Sequence, residues 1–434
     1  MSETAVKKQP MGRFVYIIIT CLMSVLVTMG ALFNCMGVFI VVMAPTFGVG
    51  ITGTSLMVTI AALVMGLTMP VWGKLTDKWS MKRIAVTATA VLVAAELLMS
   101  ASVNLPMLYV AGAIFGFAIG FHCWLVIPTM INCWFKKRSG FWIGFCVMFG
   151  NLGASLFSVL DTTLNTAAGW QVTVRVIALV TLVVLIPLYL GMKERPSDVG
   201  LVPYGTEVGG SAGTADGEAA AEPEDIEKQG VPAAIAHKHA SFYILIVFAL
   251  LSNVLGGVYH LLPSYAATLP AAASAPMLGA WLLSASAAST AIGNVLLGFL
   301  NDRSYKLALT VAGVIGVIAI LGYLFGAASI AVILIAGFLG GFWFASCGVE
   351  LPIVTKAVVG LKDYSKLFSQ IILVSVIFGA FGVTFWSAIL TSFGGTVMWT
   401  VALAVTVLIL VFGFAAIASG ARLQEKVKKE QGDK

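Results

Sequence analysis

Twelve times along this chain, about twenty or more residues pass with almost no charge, enough to cross the roughly 30 Å core of a bilayer as a helix. A backbone in hydrocarbon must satisfy its own hydrogen bonds, so runs of this kind fold as helices or not at all. The first six lie near 14–42, 54–73, 84–103, 107–133, 140–161 and 171–191. The second six lie near 242–268, 278–300, 307–326, 330–357, 367–391 and 396–419. Only 10% of the 434 residues are charged and 59% are hydrophobic, whereas a soluble domain carries roughly 25% charge. A soluble enzyme, a disordered chain and a secreted disulfide scaffold are excluded. The expected fold is an all-α membrane protein of twelve transmembrane helices in two six-helix bundles.

The polar residues organise those helices. Residues 1–192 form the expected first bundle, 193–240 a linker and 241–434 the second bundle with its tail. The stretch 192–240 is rich in Gly, Ala, Glu and Pro and holds nine acidic against four basic residues. It has too little apolar surface to fold alone and reads mostly as a flexible connection. Of the 25 Lys and Arg residues, 24 fall on one side of the alternating spans, with Arg175 the exception. The positive-inside rule then puts both termini and the linker in the cytoplasm of a plasma (inner) membrane. The net charge of +6 therefore reports orientation, and no nucleic-acid partner is expected. Lys7, Lys8 and Arg13 precede an apolar run too long for a signal peptide, which reads as the first span. The six cysteines form no C-x-x-C pair, so no zinc or redox site is expected.

The two halves repeat. Gly73-Lys-Leu-Thr-Asp77-Lys78 ends the second span and Gly298-Phe-Leu-Asn-Asp302-Arg303 ends the eighth, 225 positions later. Pro128 corresponds to Pro352 at an offset of 224, and Gly30, Phe33 and Asn34 align with Gly256, Tyr259 and His260 at 226. Near-constant offsets mark a duplication, the architecture of many alternating-access transporters.

The stretch from Gly73 to Arg83 resembles the loop signature of the major facilitator superfamily, G-x-L-a-D-r-x-G-r-k. Gly73, Asp77, Lys82 and Arg83 match it, and Ser80 stands where glycine is usual. The resemblance implies that Asp77 latches the cytoplasmic side, and with Gly73, Lys82, Arg83, Asp302 and Arg303 it defines the gating loops. A narrower resemblance is to the oxalate:formate antiporter and monocarboxylate porter branch. It rests on Trp134-Phe135-Lys136-Lys137-Arg138-Ser-Gly140, and on Glu194-Arg195-Pro196-Ser-Asp198-Val-Gly200-Leu201-Val-Pro203. That branch often carries an arginine in the eighth span that neutralises a carboxylate; here Gly293-Asn294 stands in its place. Asparagine can bond an anion but brings no charge.

The superfamily resemblance implies a cavity lined by the first, fourth, seventh and tenth spans, which hold Asn34, His122, His260 and Glu350. An ionisable group in hydrocarbon costs at least about 2.5–3.5 kcal/mol, so each is a functional candidate. His122 reads either as a titrating substrate ligand or as a neutral imidazole bonded within the protein. His260 beside Tyr259 carries the same two readings. Asn34, His122, Tyr259, His260 and Asn294 are the expected substrate contacts. Glu350 is the expected proton-coupling group, with pairing to Lys356 or a capping role near Pro352 as the structural reading. Glu96 reads as a helix–helix hydrogen bond, with a further proton site as the alternative, and Asp161 with Arg175 as a local ion pair at an outer turn rather than a substrate site. Gly112, Gly116 and Gly120 recur every four residues and read as close helix packing.

No nucleotide-binding G-x-x-x-x-G-K-[ST] segment or metalloprotease signature is present, so no cofactor is expected. The expected activity is secondary transport of a small organic solute, most simply a carboxylate, by alternating access with proton coupling or exchange. Export of a larger amphipathic or neutral compound, and a sensor that binds without transporting, are the alternatives. The expected partners are a small-molecule substrate and the lipid bilayer, with no obligate protein partner.

Overall fold

The computed structural model describes residues 11–76, 78–135, 139–205, 230–360 and 363–432. Its spans are α1 (Gly12–Thr46), α2 (Ile51–Thr76), α3 (Met81–Ser100), α4 (105–134), α5 (Ser139–Ala168) and α6 (Trp170–Gly191). The second set is α7 (Ala240–Ala267), α8 (Leu278–Arg303), α9 (Tyr305–Phe325), α10 (Ile330–Val359), α11 (364–393) and α12 (395–432). Gly394 separates the last two with φ +81°, a conformation that glycine adopts without penalty. Among the described residues the fold is all-helical with twelve spans, so the start of α1 and the end of α12 lie at one face.

The duplication is visible in the packing. On α4, Gly112 seats against Met57 and Gly116 against the carbonyl of Ala61, both on α2. On α10, Gly337 seats against Leu282 and Gly341 against the carbonyl of Ser286, both on α8. All four pairs of positions are 225 apart. Likewise Gly150 and Gly153 of α5 lie on α1, and Gly379 and Gly382 of α11 lie on α7. Lipid offers no hydrophobic drive between helices, so close backbone approach supplies the packing energy instead. The glycines at 112 and 116 were expected to pack closely, and they do so against α2.

Four boundaries differ from the apolar runs. Ser80, where the loop signature has glycine, caps α3 by accepting from the Arg83 amide at 3.3 Å, and Ser304 caps α9 from Leu307 at 3.4 Å. Helix α5 runs about two turns past 161, and within that stretch the Thr hydroxyls of residues 162, 163 and 166 are satisfied by backbone carbonyls one turn back. Helix α12 continues to Gly432, beyond the apolar run.

The connecting segment docks at both ends. Tyr204 donates its amide to the Trp134 carbonyl at 2.8 Å, at the end of α4. Val231 donates to the Val359 carbonyl at 2.8 Å, at the end of α10. Trp134 Nε1 reaches the carbonyls of Lys193 and Glu194 at 3.2 and 3.1 Å, and the Lys82 amide reaches Glu194 Oε1 at 3.3 Å. The two motifs of the narrower resemblance therefore meet at the face that carries the termini. Asp77 and residues 206–229 lie outside the described residues.

The packing makes a symmetric prediction. Gly116→Val and Gly341→Val each force a side chain into a facing backbone, at a cost of about 1–3 kcal/mol. Both variants should lower the detergent-phase melting temperature, whereas Gly298→Ala, in open space, should change it little.

Candidate functional site

The site grows from two interrupted helices. In α1, residues Leu26–Phe33 wind as a π-helix and the chain breaks at Asn34 and Cys35, where Cys35 has φ −86° and ψ 2°. In α7, the matching stretch Gly257–Leu261 tightens to a 3-10 turn. Gly30 packs on Gly153 and Gly257 on Gly382, so no side chain holds either break away from its neighbour. Such local rewinding re-aims side chains and recurs at functional sites.

The breaks bring the expected α1 and α7 residues together. Phe33 meets the His260 ring edge-on with centroids 5.7 Å apart, and stacks on Phe115 of α4 at 6.4 Å. Tyr259 meets His260 at 5.6 Å and Phe344 of α10 at 5.7 Å. Asn34 directs Nδ2 towards the Gly150 carbonyl at 3.4 Å and Asn151 Oδ1 at 3.5 Å. The buried Tyr259 hydroxyl and His260 Nδ1 have no hydrogen-bond partner. Buried polar atoms are normally bonded, and each exception calls for an explanation. Here the open valences face a junction of α1, α4, α7 and α10.

The other expected residues lie elsewhere. His122 is fully buried inside the first bundle, where Nδ1 lies 3.0 Å from Tyr189 Oη and 3.4 Å from Ser24 Oγ. Tyr189 Oη donates to Ser24 Oγ at 2.7 Å, closing a three-residue network beside the π-turn Phe121–Leu125 of α4. Asn294 is half-buried on α8, and the contacts around Tyr259 and His260 do not include it. Glu350 is 1% exposed at the α8–α10 seam, and Asn301 Nδ2 donates to its Oε1 at 2.8 Å while Oε2 is unpartnered. Asn301 belongs to the repeated loop motif, so Glu350 touches that motif directly. Gly73 ends α2, and Lys82, Arg83 and Arg303 sit at the same face as the termini; Asp302 lies in the last turn of α8.

Two local expectations are corrected. Asp161 and Arg175 form no ion pair: Asp161 is 1% exposed inside α5, and Arg175 Nε donates to Ser100 at 3.3 Å. The extension of α5 carries Asp161 inward, away from the turn. Glu96 is fully buried between α3 and α6, yet neither carboxyl oxygen has a hydrogen-bond partner. Phe33, Phe115, Asn151 and Phe344 were missed by reasoning on single residues.

The face away from the termini is closed. Thr59 bonds Thr384 at 2.8 Å, Ser387 bonds Thr52 at 2.8 Å, and Ser284 donates to the Ser155 carbonyl at 2.6 Å. Gly37 lies directly against the His260 carbonyl, joining α1 to α7. Among the described residues no Lys or Arg is buried, whereas Glu96, Asp161 and Glu350 are.

The chain matches the Major Facilitator Superfamily model over residues 21–359. It is 28% identical over 163 residues to the uncharacterised MFS-type transporter YcxA of Bacillus subtilis (strain 168). It is 29% identical over 138 residues to the uncharacterised MFS-type transporter YhjX of Escherichia coli (strain K12). Those stretches are 36% and 31% of this chain, and they span only 39% and 34% of the two relatives' lengths. The fold is similar to a bacterial homologue of the human lysosomal transporter Spinster in an inward-facing, unoccupied conformation. That match has TM-score 0.62 and 15% identity, and covers 97% of this chain and 98% of the other. It is also similar to a point mutant of the nucleoside transporter NupG, with TM-score 0.67 and 15% identity over 94% and 99% of the two chains.

Placing a branched side chain at Gly37 should pry α1 from α7. In Gly37→Val, a cysteine at Ser264, buried in the closed form, should react faster with an impermeant maleimide. An unchanged rate would show that this contact does not hold the face shut.

Proposed function

The chain belongs to the Major Facilitator Superfamily, and from that premise we propose a proton-coupled transporter of a small organic acid carried in neutralised form. It is a membrane transporter, not an enzyme. The observation that carries the reading is the interior's charge: three buried carboxyls and, among the described residues, no buried cation. A bare carboxylate entering such a site would lose its hydration without gaining a counter-ion. Together with a proton it enters uncharged, and hydrogen-bonding groups suffice to hold it.

In this reading Asn34, the Tyr259 hydroxyl and His260 Nδ1 bond the polar end of the solute. Phe33, Phe115 and Phe344 cover its apolar body. Glu350 carries the coupling proton at the α8–α10 seam, where a change in its charge alters its bond to Asn301 and hence the loop motif. His122 acts by holding α4 to α1 and α6, and Asn294 contributes from α8 in a more open state. The aromatic wall also supports a second reading, a neutral amphipathic compound exchanged for protons.

Liposomes holding the purified protein, offered a mixed metabolite pool with and without an inward proton gradient, decide between them by mass spectrometry. Gradient-dependent enrichment of small carboxylates supports the first reading, and enrichment of neutral or cationic solutes the second. Removing one bonding group in Asn34→Ala, Tyr259→Phe or His260→Ala should weaken uptake by roughly tenfold, the equivalent of about 1.4 kcal/mol. Glu350→Gln should abolish gradient-driven accumulation and spare exchange; unchanged accumulation removes Glu350 from coupling.

The distribution of basic residues supports cytoplasmic termini and a plasma-membrane location. A fluorescent protein fused at the C-terminus should mature, and alkaline phosphatase fused at Gly48 should be active. The reverse pattern would invert the orientation.

A further inference from the structure

Of the three buried carboxyls, Glu350 is held by Asn301, and Glu96 is enclosed opposite Thr181 inside the first bundle. Asp161 differs in what surrounds it. It lies about two turns from the end of α5 at the closed face, with Oδ2 buried and unpartnered. One turn on, Asn165 keeps both side-chain polar atoms buried and unpartnered, so two polar side chains on one helix face share open valences. The Cys35 thiol lies against the Asp161 carboxyl, and it also approaches the Tyr259 hydroxyl. Cys35 is the residue at which α1 breaks, next to Asn34, and its Sγ reaches the carbonyls of Gly30 and Ala154 at 3.1 and 3.6 Å. One buried carboxyl is thereby set beside the break in α1, a helix whose Gly37 lies against the His260 carbonyl of α7.

We propose that Asp161 is a second proton-binding site, in the opposite half from Glu350, and that its occupancy licenses closure of the face away from the termini. This rests on the reading that transport is coupled to protons. The groups facing Asp161 are Cys35 from α1 and, through that thiol, Tyr259 from α7. Helix α8 presents Ala280 and Ser284 to α5, and Arg175 of α6 is turned to Ser100. Among the described residues no positive charge is paired with Asp161, since Arg175 donates to Ser100. When α1 parts from α7 and α5 from α8, water reaches the carboxylate and it takes a proton from that side. Closing over an unprotonated carboxylate would bury an uncompensated charge, so the protonated form closes and the ionised form stays open.

The test follows that face directly, without a substrate. Spin labels at Val103→Cys and Phe325→Cys, both highly exposed, in a background with Cys123, Cys133 and Cys347 changed to serine, report its width by pulsed resonance. In detergent micelles the separation should lengthen as pH rises. Asp161→Asn should stay closed with a flat pH response, and Asp161→Glu should keep a response. The infrared band of protonated carboxyls should lose a component in Asp161→Asn and retain it in Glu350→Gln. A normal pH response in Asp161→Asn overturns the proposal, as does closure that follows sodium and ignores pH. Failure of proton-driven uptake in liposomes with these distances intact would defeat the coupling reading and leave the Asp161 site standing.

Discussion

A backbone immersed in hydrocarbon has no water to fall back on, and every amide that leaves its helical ladder must be met by protein. This constraint decides where the spans can be interrupted. The breaks in α1, α4 and α7 all occur where neighbouring helices cover them. Cys35 Sγ takes the Gly30 carbonyl within α1. Trp72 of α2 donates Nε1 to the Phe117 carbonyl at 2.7 Å, just before the π-turn of α4. Trp386 of α11 donates to the Val254 carbonyl at 2.7 Å, just before the 3-10 turn of α7. Irregular backbone, and the re-aimed side chains that come with it, is confined to the protein's interior. The candidate site follows from that confinement.

The electrostatics follow the same logic. Lys and Arg residues remain near the ends of spans, where water and headgroups solvate them, and the described interior buries three carboxyls and neutral polar groups but no Lys or Arg. A carboxyl can shed its charge by taking up one proton, whereas an arginine cannot release its own. A core with carboxyls and no Lys or Arg therefore holds no permanent positive charge that would trap an anion. The asymmetry suits a pathway that must let its cargo go.

Much of this was legible in the residues. Hydropathy located every span, because helix length is set by bilayer thickness. The offset of 225 between loop motifs reappears as glycine contacts at 112 and 337, and at 116 and 341. The pairing of Asn34 with His260 as matching positions survives as two interrupted helices in contact. The interruptions themselves were invisible, since a π-turn changes winding without changing hydropathy. His122 sits at the right depth, but its direction depends on that rewinding, which turns it towards Ser24 and Tyr189. Asp161 was placed at an outer turn because the apolar run of the fifth span ends near 161. The helix continues past that point, the hydroxyls of Thr162 and Thr163 bond back to it, and the carboxyl lies inside.

The seam that shuts the face away from the termini is built from threonine and serine hydroxyls and one glycine, with no ion pair among the described residues. Each neutral hydrogen bond contributes only about 1 kcal/mol net, because water replaces it when it breaks. A zipper of such bonds has nearly the same free energy fastened as unfastened, and salt leaves it untouched. Such a seam can therefore part and re-form at small cost.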